Sequence, residues 1–239
     1  MSLDDLGYLV LLEVYSSDEM DDLVGQLEQA FAAENVDPRS IRTRAGTVFA
    51  ARNVESLLPA SCDLWRRPPL LPLLRDTLGP ECGLVRVLYF DKPPDRTWTL
   101  PWHRDLTVAV QRNDLPSAEF RNPTRKAGVA HVEAPRWLLE SMLTLRIHLD
   151  TVTHENGPLM VLPGSHRADA DGDGSCGAPL AILAGRGDVL AMRPLLSHSS
   201  GHAAPGNLRH RRVLHLEFAA RPALPDGYAW NFFKPQTAL

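Results

Sequence analysis

Apolar residues near the N-terminus recur with the spacing of a helix that buries one face. Between Met20 and Phe31 they return every three or four positions, which predicts an amphipathic helix. Ser16 opens a capping-box pattern, S-x-x-E, at the predicted start of that helix. A shorter helix is predicted over "PLLPLLRDTLG", with Gly79 as its stop. Residues 1–82 are therefore predicted to be a largely helical N-terminal part.

From residue 83 onward the pattern changes to short apolar runs separated by Pro, Gly, Asn and Asp. Because no long helical pattern lies between these runs, they predict an antiparallel sandwich or barrel. The chain shows no linker composition, so one domain is expected, with a core over about 83–220 and a C-terminal tail, 221–239, packed on its surface. The predicted strands are "GLVRVLYFD", "LTVAVQ", "LTLRIHLD", "GPLMVLPG", "PLAILA", "GDVLAMRP" and "RRVLHLEFAA".

The segment from Arg112 to Pro135 interrupts this rhythm because it is polar and rich in turn residues. An insertion of this length in a compact domain is usually a functional loop or lid, and a mobile connection is the alternative. The segment is predicted to shape substrate selectivity, with His131 as a candidate contact.

The strand "LTLRIHLD" alternates strictly between apolar and polar residues. Alternate side chains of a strand point to opposite faces, so its polar residues share one face. That face either meets water or lines a polar cavity, and in a cavity Arg146 would be available to a carboxylate ligand. The polar set is Thr144, Arg146, His148 and Asp150.

Two His-x-Asp pairs compete as metal sites, and both have the spacing that directs two ligands to one side of a strand. One is His103 and Asp105 in "WHRD", and the other is His148 and Asp150 in "IHLD". A non-haem iron site of the facial-triad type needs a further histidine from elsewhere in the chain. The spacing alone does not choose between the pairs.

Seven further histidines are available as the third ligand, and His198 stands out by its context. It follows the predicted strand "GDVLAMRPLL" and precedes a strand that opens with arginines. That arrangement would place it at the mouth of a barrel, whereas the alternative is an exposed loop histidine. The other six are His131, His154, His166, His202, His210 and His215.

Composition narrows the classes of function. The 239 residues carry a formal charge of -4 without a basic patch, so nucleic acid is not an expected partner. No apolar run is long enough for a membrane span. The three cysteines, Cys62, Cys82 and Cys176, are widely spaced and fit a reducing cytoplasm. Hydrolase, deaminase and nucleotide-binding motifs are absent from the sequence, which leaves metal chemistry as the main catalytic prospect.

Five motifs in order resemble the phytanoyl-CoA dioxygenase family of iron(II)- and 2-oxoglutarate-dependent oxygenases. They are "FDKPPD", "WHRD", "ENGPLMVLPGSH", "SHSS" and "RRVLHLEF", and the N-terminal "GYLVLLEVYSSDEM" is similar to the opening of that family. The resemblance implies that His103, Asp105 and His198 bind iron and are the catalytic residues. It places His148 and Asp150 on a strand that does not bind iron.

The resemblance also implies a binding site for the cosubstrate. An arginine on the last core strand pairs with the distal carboxylate of 2-oxoglutarate in the family, and the motif places that role on Arg211, with Arg209 as the fallback. Arg212 is expected to face the other way. Ser200 fits a position that touches the cosubstrate. Arg146 lies where several members carry a tryptophan in the same pocket.

The implied fold is mainly β with flanking α-helices, a double-stranded β-helix of the jelly-roll or cupin-like type. The implied reaction consumes O2 and 2-oxoglutarate at iron(II), releases succinate and carbon dioxide, and hydroxylates a small organic substrate. Two alternatives remain. One is a barrel of the same fold that binds a metal or ligand without turnover. The other is a cupin-type hydrolase or isomerase, which would not need the arginine.

Overall fold

A computed structural model describes residues 2–33, 40–168 and 177–237. Its helices are α1 (Leu3–Leu6), α2 (Ser17–Ala33), α3 (Val54–Leu57), α4 (Leu70–Leu78) and α5 (Arg136–Glu140), with 3₁₀ turns at Pro59–Asp63 and His154–Asn156. Its strands are β1 (Tyr8–Leu11), β2 (Ser40–Arg42), β3 (Val48–Arg52), β4 (Gly83–Phe90), β5 (Leu100–His103), β6 (Thr107–Val110), β7 (Arg121–Lys126), β8 (Val129–Glu133), β9 (Met142–His148), β10 (Leu159–Val161), β11 (Leu180–Ile182), β12 (Val189–Met192), β13 (His198–Ser200), β14 (Val213–Ala219) and β15 (Lys234–Pro235).

The two helices predicted from the apolar pattern are present as α2 and α4. The hydroxyl of Ser16 accepts from the backbone N–H of Glu19, while the Glu19 carboxylate accepts from the backbone N–H of Ser16. This reciprocal cap fixes where α2 begins. At the other predicted stop, Gly79 follows the last residue of α4 and donates its N–H to the carbonyl of Arg75. Short strands β1 to β3 also lie in this part of the chain and join the main sheet.

Two antiparallel sheets make up the core of the structure. The larger sheet has the strand order β1-β12-β9-β14-β4-β3-β2, with β15 also paired to β4, and the smaller has the order β11-β10-β13-β5. Strands that are distant in sequence are therefore neighbours in each sheet. The fold is the mainly β, double-stranded β-helix that was expected, and α2 and α4 cover the outer face of the larger sheet.

Alternation along the central strands separates a helix-facing core from a cavity-facing side. Leu214, Leu216 and Phe218 of β14 belong to the apolar core under α2 and α4, whereas His215 and Glu217 point into a cavity between the two sheets. Strand β9 is divided in the same way, and all of its residues are buried. The polar residues of β9, Thr144, Arg146 and His148, are therefore buried in the interior, and Arg146 lines the cavity.

The segment between Arg112 and Pro135 is more ordered than its composition indicated. Strands β7 and β8 form an antiparallel hairpin, and β8 also pairs with β6 to make a third, three-stranded sheet. Its inner face is apolar and buried, and it includes Val108, Val110 and Val132. The period-two signal was missed because β7 is almost entirely exposed and polar, so only β8 carries an apolar alternation.

The C-terminal residues do more than lie on the surface. Tyr228 and Trp230 are buried in the apolar cluster of the third sheet, and Gln236 is 6% exposed. Cys62 and Cys82 are free and buried, and Cys176 lies outside the described residues. None of the described helices combines the length and apolar character needed to cross a membrane.

Substitution of Phe218 tests how much the packing of the helical layer against the larger sheet stabilises the protein. The ring of Phe218 lies 5.3 Å from that of Trp65, edge to face, and both side chains are fully buried. We expect Phe218→Ala to lower the free energy of unfolding by about 3–5 kcal/mol, because it removes apolar contact and leaves a cavity. Denaturant unfolding measures this. Leu208→Ala, at a position 85% exposed, is the control, and equal effects of the two substitutions would contradict the assignment of the core.

Candidate active site

Strands β5 and β13 bring three potential metal ligands together. His198 lies opposite His103 in the strand register, and their ring centroids are 4.2 Å apart. Asp105 follows β5, and its two carboxylate oxygens each lie 3.8 Å from the Nε2 atom of one of these histidines. One ligand atom from each of the three residues lies within 4.8 Å of the others. The three predicted ligands thus form one cluster.

The backbone holds both histidines in the orientation a metal ligand needs. The Nδ1 atom of His103 lies 2.8 Å from the carbonyl of Pro101, and that of His198 lies 2.8 Å from the carbonyl of Leu196. A carbonyl only accepts hydrogen bonds, so each Nδ1 carries the proton and donates it. Each Nε2 atom therefore presents a lone pair toward Asp105, the arrangement typical of metal-binding imidazoles.

Electrostatics favour the ionised form of the aspartate. Burial opposes its ionisation, but His198, His215 and His103 hold the pKa of Asp105 below its usual range. Burial is the main cause that lowers the pKa of His198, so its imidazole stays neutral at physiological pH. A carboxylate beside a neutral imidazole is the protonation state that binds a divalent cation.

The rival His-x-Asp pair has a different environment. Asp150 accepts two hydrogen bonds from the Arg212 guanidinium, at 2.8 and 2.9 Å, and a third from the Arg212 backbone N–H. His148 is buried. Among the residues that the structure describes, no third histidine, cysteine or carboxylate joins these two in a metal-type cluster. Asp150 therefore forms an ion pair with Arg212.

The His-Asp-His cluster lies in the wall of a cavity of about 350 Å³ between the two sheets. Main-sheet residues such as Arg146, Arg211 and His215 form one wall, and the metal-type cluster and Ser200 form the facing wall. Along β14 and the residues before it, Arg211 comes first and Glu217 last, with His215 between them. The cavity thus has two ends with the candidate metal ligands between them.

The Arg211 end of the cavity is rich in buried cations. Arg211 is 1% exposed, and two of its guanidinium nitrogens, Nε and Nη1, have no hydrogen-bond partner among the described residues. The Nε atom of Arg146 is likewise without a partner. Burial, with only Asp91 opposing it, lowers the pKa of Arg211 to about 10. Buried cationic donors without partners fit an anionic ligand, which would accept their hydrogen bonds.

Lys92 is a further cation at this end, and it was not singled out from the sequence. It is fully buried and donates to the Ser200 hydroxyl at 2.8 Å and to the carbonyl of Gly201. Burial, reinforced by the charges of Arg211 and Arg146, lowers the pKa of Lys92 to about 7. A nearby anion would raise this pKa and so favour the charged form of Lys92.

The two arginines predicted as alternative clamps for the cosubstrate differ in their surroundings. Arg211 lines the cavity, whereas Arg209 is exposed to solvent. Arg212 faces the other way, as expected, and binds Asp150 and Glu28.

The opposite end of the cavity holds a buried ion pair. Two guanidinium nitrogens of Arg86 donate to the two carboxylate oxygens of Glu217, at 2.9 and 2.6 Å. A third nitrogen of Arg86 lies 2.9 Å from Nε2 of His131, which is 1% exposed. His131 thus supports the wall of the cavity from behind and is absent from the residues that line it.

The alternation of side chains along a strand was the signal from which the missed cavity residues could have been found. Arg86, Leu88 and Phe90 alternate along β4 and all line the cavity, just as Arg146 does on β9. Lys92 follows two residues after Phe90, inside the quoted motif "FDKPPD". Extending the alternation of "LTLRIHLD" to the neighbouring strand would have placed these side chains on the same face.

Comparison with known proteins shows the family of the chain. Residues 3–210 match the phytanoyl-CoA dioxygenase (PhyH) family. A curated relative, ectoine dioxygenase of Nocardia farcinica (strain IFM 10152), is 26% identical over 164 residues, which cover 67% of this chain and 48% of the relative. The chain thus spans about half the length of that relative.

Solved structures share the fold. AviO1 from Streptomyces viridochromogenes Tue57 superposes with a TM-score of 0.66 at 22% identity, covering 94% of both chains. EctD from S. alaskensis, solved with bound Fe, gives a TM-score of 0.68 at 20% identity, covering 91% of this chain and 74% of its own. Since the family match extends over most of the sequence, the chain belongs to the phytanoyl-CoA dioxygenase family.

Proposed function

We propose that this protein is an iron(II)- and 2-oxoglutarate-dependent dioxygenase that hydroxylates a small organic molecule and releases succinate and carbon dioxide. The observation that carries the proposal is the convergence of His103, Asp105 and His198 beside a cavity in which guanidinium nitrogens of the buried Arg146 and Arg211 have no partner among the described residues. A barrel of the same fold that binds only a metal or only a ligand would not need both features together.

The donor set fits iron(II). Two neutral imidazoles and one carboxylate are the ligands of the non-haem iron facial triad, which leaves coordination positions open for other ligands. In this proposal His103, Asp105 and His198 hold the metal. When bound, iron supplies the coordination of 2-oxoglutarate and the activation of O2 that side chains cannot provide.

The cationic end of the cavity fits the cosubstrate. The fork of donors on Arg211 matches a carboxylate, and its partnerless nitrogens would be satisfied by the distal carboxylate of 2-oxoglutarate. Ser200 lines the cavity at this end, and the ammonium group of Lys92 donates to its hydroxyl and adds positive charge behind it. Arg146 adds a second guanidinium. Together these residues would orient the dianion toward the metal ligands and exclude water from it.

The free, buried thiols of Cys62 and Cys82 support a further proposal, that the protein works in a reducing cytoplasm, where such thiols persist.

Anaerobic addition of iron(II) and 2-oxoglutarate tests the function. We expect a visible charge-transfer band from the metal-bound cosubstrate, and succinate formation when air is admitted. Asp105→Ala should reduce 2-oxoglutarate turnover by about 100-fold or more, because loss of a ligand costs at least as much as loss of its support. Asp150→Ala is the matched control and should keep the band in protein shown by circular dichroism to be folded. The reverse pattern, or no band in the wild type, would refute the proposal.

Arg211 and Arg209 provide a second matched pair. We expect Arg211→Met to raise the KM for 2-oxoglutarate about 10- to 100-fold, because a charge-assisted hydrogen bond contributes roughly 1.5–3 kcal/mol. Arg209→Met, at an exposed position, should change that KM less than about twofold, since exposed charges interact weakly. Equal effects of the two variants on the KM would contradict the assignment of the clamp.

Lys92 predicts a pH dependence of cosubstrate binding. In the free protein its pKa is about 7, and a bound carboxylate would raise that pKa by stabilising the ammonium form. Between the two pKa values binding takes up a proton, so affinity for 2-oxoglutarate should fall as pH rises above about 7, by up to about tenfold per unit. Equilibrium titrations at several pH values measure this.

Lys92→Met is the comparison for the pH profile. This variant should bind 2-oxoglutarate more weakly at pH 6.5 and should show a flatter dependence above pH 7. A wild-type profile that is already flat, or one that the substitution leaves unchanged, would exclude Lys92 as the titrating group.

A further inference from the structure

The end of the cavity opposite Arg211 carries positive charge that the proposed metal and cosubstrate leave uncompensated. Iron(II) and the 2-oxoglutarate dianion cancel each other's charge, so binding both does not alter the excess of cations over carboxylates in the cavity wall. The charged residues that line the cavity are Arg52, Arg86, Lys126, Arg146, Arg211, Asp105 and Glu217.

Strand register places this second end away from the cosubstrate. Glu217 lies six residues after Arg211, a span of about 20 Å along extended chain, and Arg86 lies opposite Glu217 on β4. His215, between them, is close enough to Asp105 for each to influence the pKa of the other. The metal-type cluster is therefore flanked by Arg211 on one side and by Arg86 and Glu217 on the other.

Three cations meet at this second end, and one of them is already neutralised. The carboxylate of Glu217 neutralises Arg86 and accepts two hydrogen bonds from it. Arg52, at the end of β3, has no hydrogen-bond or ion-pair partner among the described residues. Lys126, from the β7–β8 hairpin, donates to the hydroxyl of Thr107 at 2.9 Å, and a hydroxyl does not balance its charge.

The two unneutralised cations lie close enough to repel. Burial lowers the pKa of Lys126, and the charges of Arg52 and Arg86 lower it further, while Asp105 and Glu217 oppose this shift. Burial and the charge of Arg86 likewise lower the pKa of Arg52, with Glu217 opposing them. Both side chains are half-buried, so water screens them less than it would on an open surface.

We propose that the substrate carries an anionic group, a carboxylate or a phosphate, that binds between Arg52 and Lys126 and presents the rest of the molecule to the metal site. This inference rests on the proposed function and adds to it the substrate class. An arginine fork and an ammonium group together suit an oxyanion. The cavity volume of about 350 Å³ is shared with the cosubstrate, so the part of the substrate that lies inside it must be small.

Fragment binding to the wild-type protein tests the proposal without any variant. The protein is held anaerobically with iron(II) and saturating 2-oxoglutarate, and propionate, methyl phosphate or the neutral isostere propionamide is added at constant ionic strength. We expect an anion to shift the charge-transfer band, and propionamide to leave it unshifted at a tenfold higher concentration. The anion that acts at the lower concentration distinguishes carboxylate from phosphate.

Two variants and a charge-matched control locate the anion. Arg52→Gln and Lys126→Met should each raise the half-saturating concentration of the anion about tenfold or more, as expected for a lost charge-assisted hydrogen bond. Arg121→Gln removes an exposed cation from the same hairpin and should bind the anion as the wild type does.

Other outcomes overturn the inference. A band shift by propionamide at the same concentration would show that charge is not recognised. Wild-type affinity in both Arg52→Gln and Lys126→Met would place the anion elsewhere, and loss of the band would mean that the anion displaces 2-oxoglutarate. In each of these cases the initial band leaves the proposed function standing, whereas absence of that band in the wild type would refute both.

Discussion

The alternation of side chains along β4, β9 and β14 is the constraint on which the rest of this structure depends. β9 and β14 send apolar residues toward α2 and α4 and polar residues into the space between the sheets, and β4 sends Arg86, Leu88 and Phe90 into that space. A shift of one residue in any of the three strands would place a charged side chain in the apolar core. The registers that stabilise the fold therefore also determine which charged groups face the ligands.

The metal-type cluster depends on a different kind of support. His103 and His198 face each other because β5 and β13 pair, and neighbouring carbonyls fix the proton on each Nδ1. Asp105 is anchored through its backbone N–H, which donates to the carbonyl of Pro194. These contacts are made by the backbone, so the ligand positions depend little on the identity of surrounding side chains.

The sequence predicted the parts of the molecule that depend on local pattern. The capping box of α2, the stop of α4 and the two faces of β9 follow from spacing alone, and the motif order supplied the family. The hairpin of β7 and β8 was missed because an exposed strand buries little, so β7 lacks the apolar alternation by which a strand is recognised.

The choice between the two His-x-Asp pairs depends on contacts that local spacing does not predict. Asp105 and Asp150 have the same spacing from a histidine, and they differ in what the fold brings to them: two imidazoles in one case and the guanidinium of Arg212 in the other. The pairing of Arg86 with Glu217 also joins residues 131 positions apart. Such contacts depend on strand order, which a single sequence does not state directly.

The crowding of Lys92, Arg146 and Arg211 has a consequence for the stability of the ligand-free protein. Mutual repulsion among buried cations raises the free energy of the empty folded state, and a bound dianion removes that penalty. The cosubstrate would then act as a structural ligand as well as a reactant. Under the proposed function, protein without 2-oxoglutarate would be less stable and more open to proteolysis than protein that holds it.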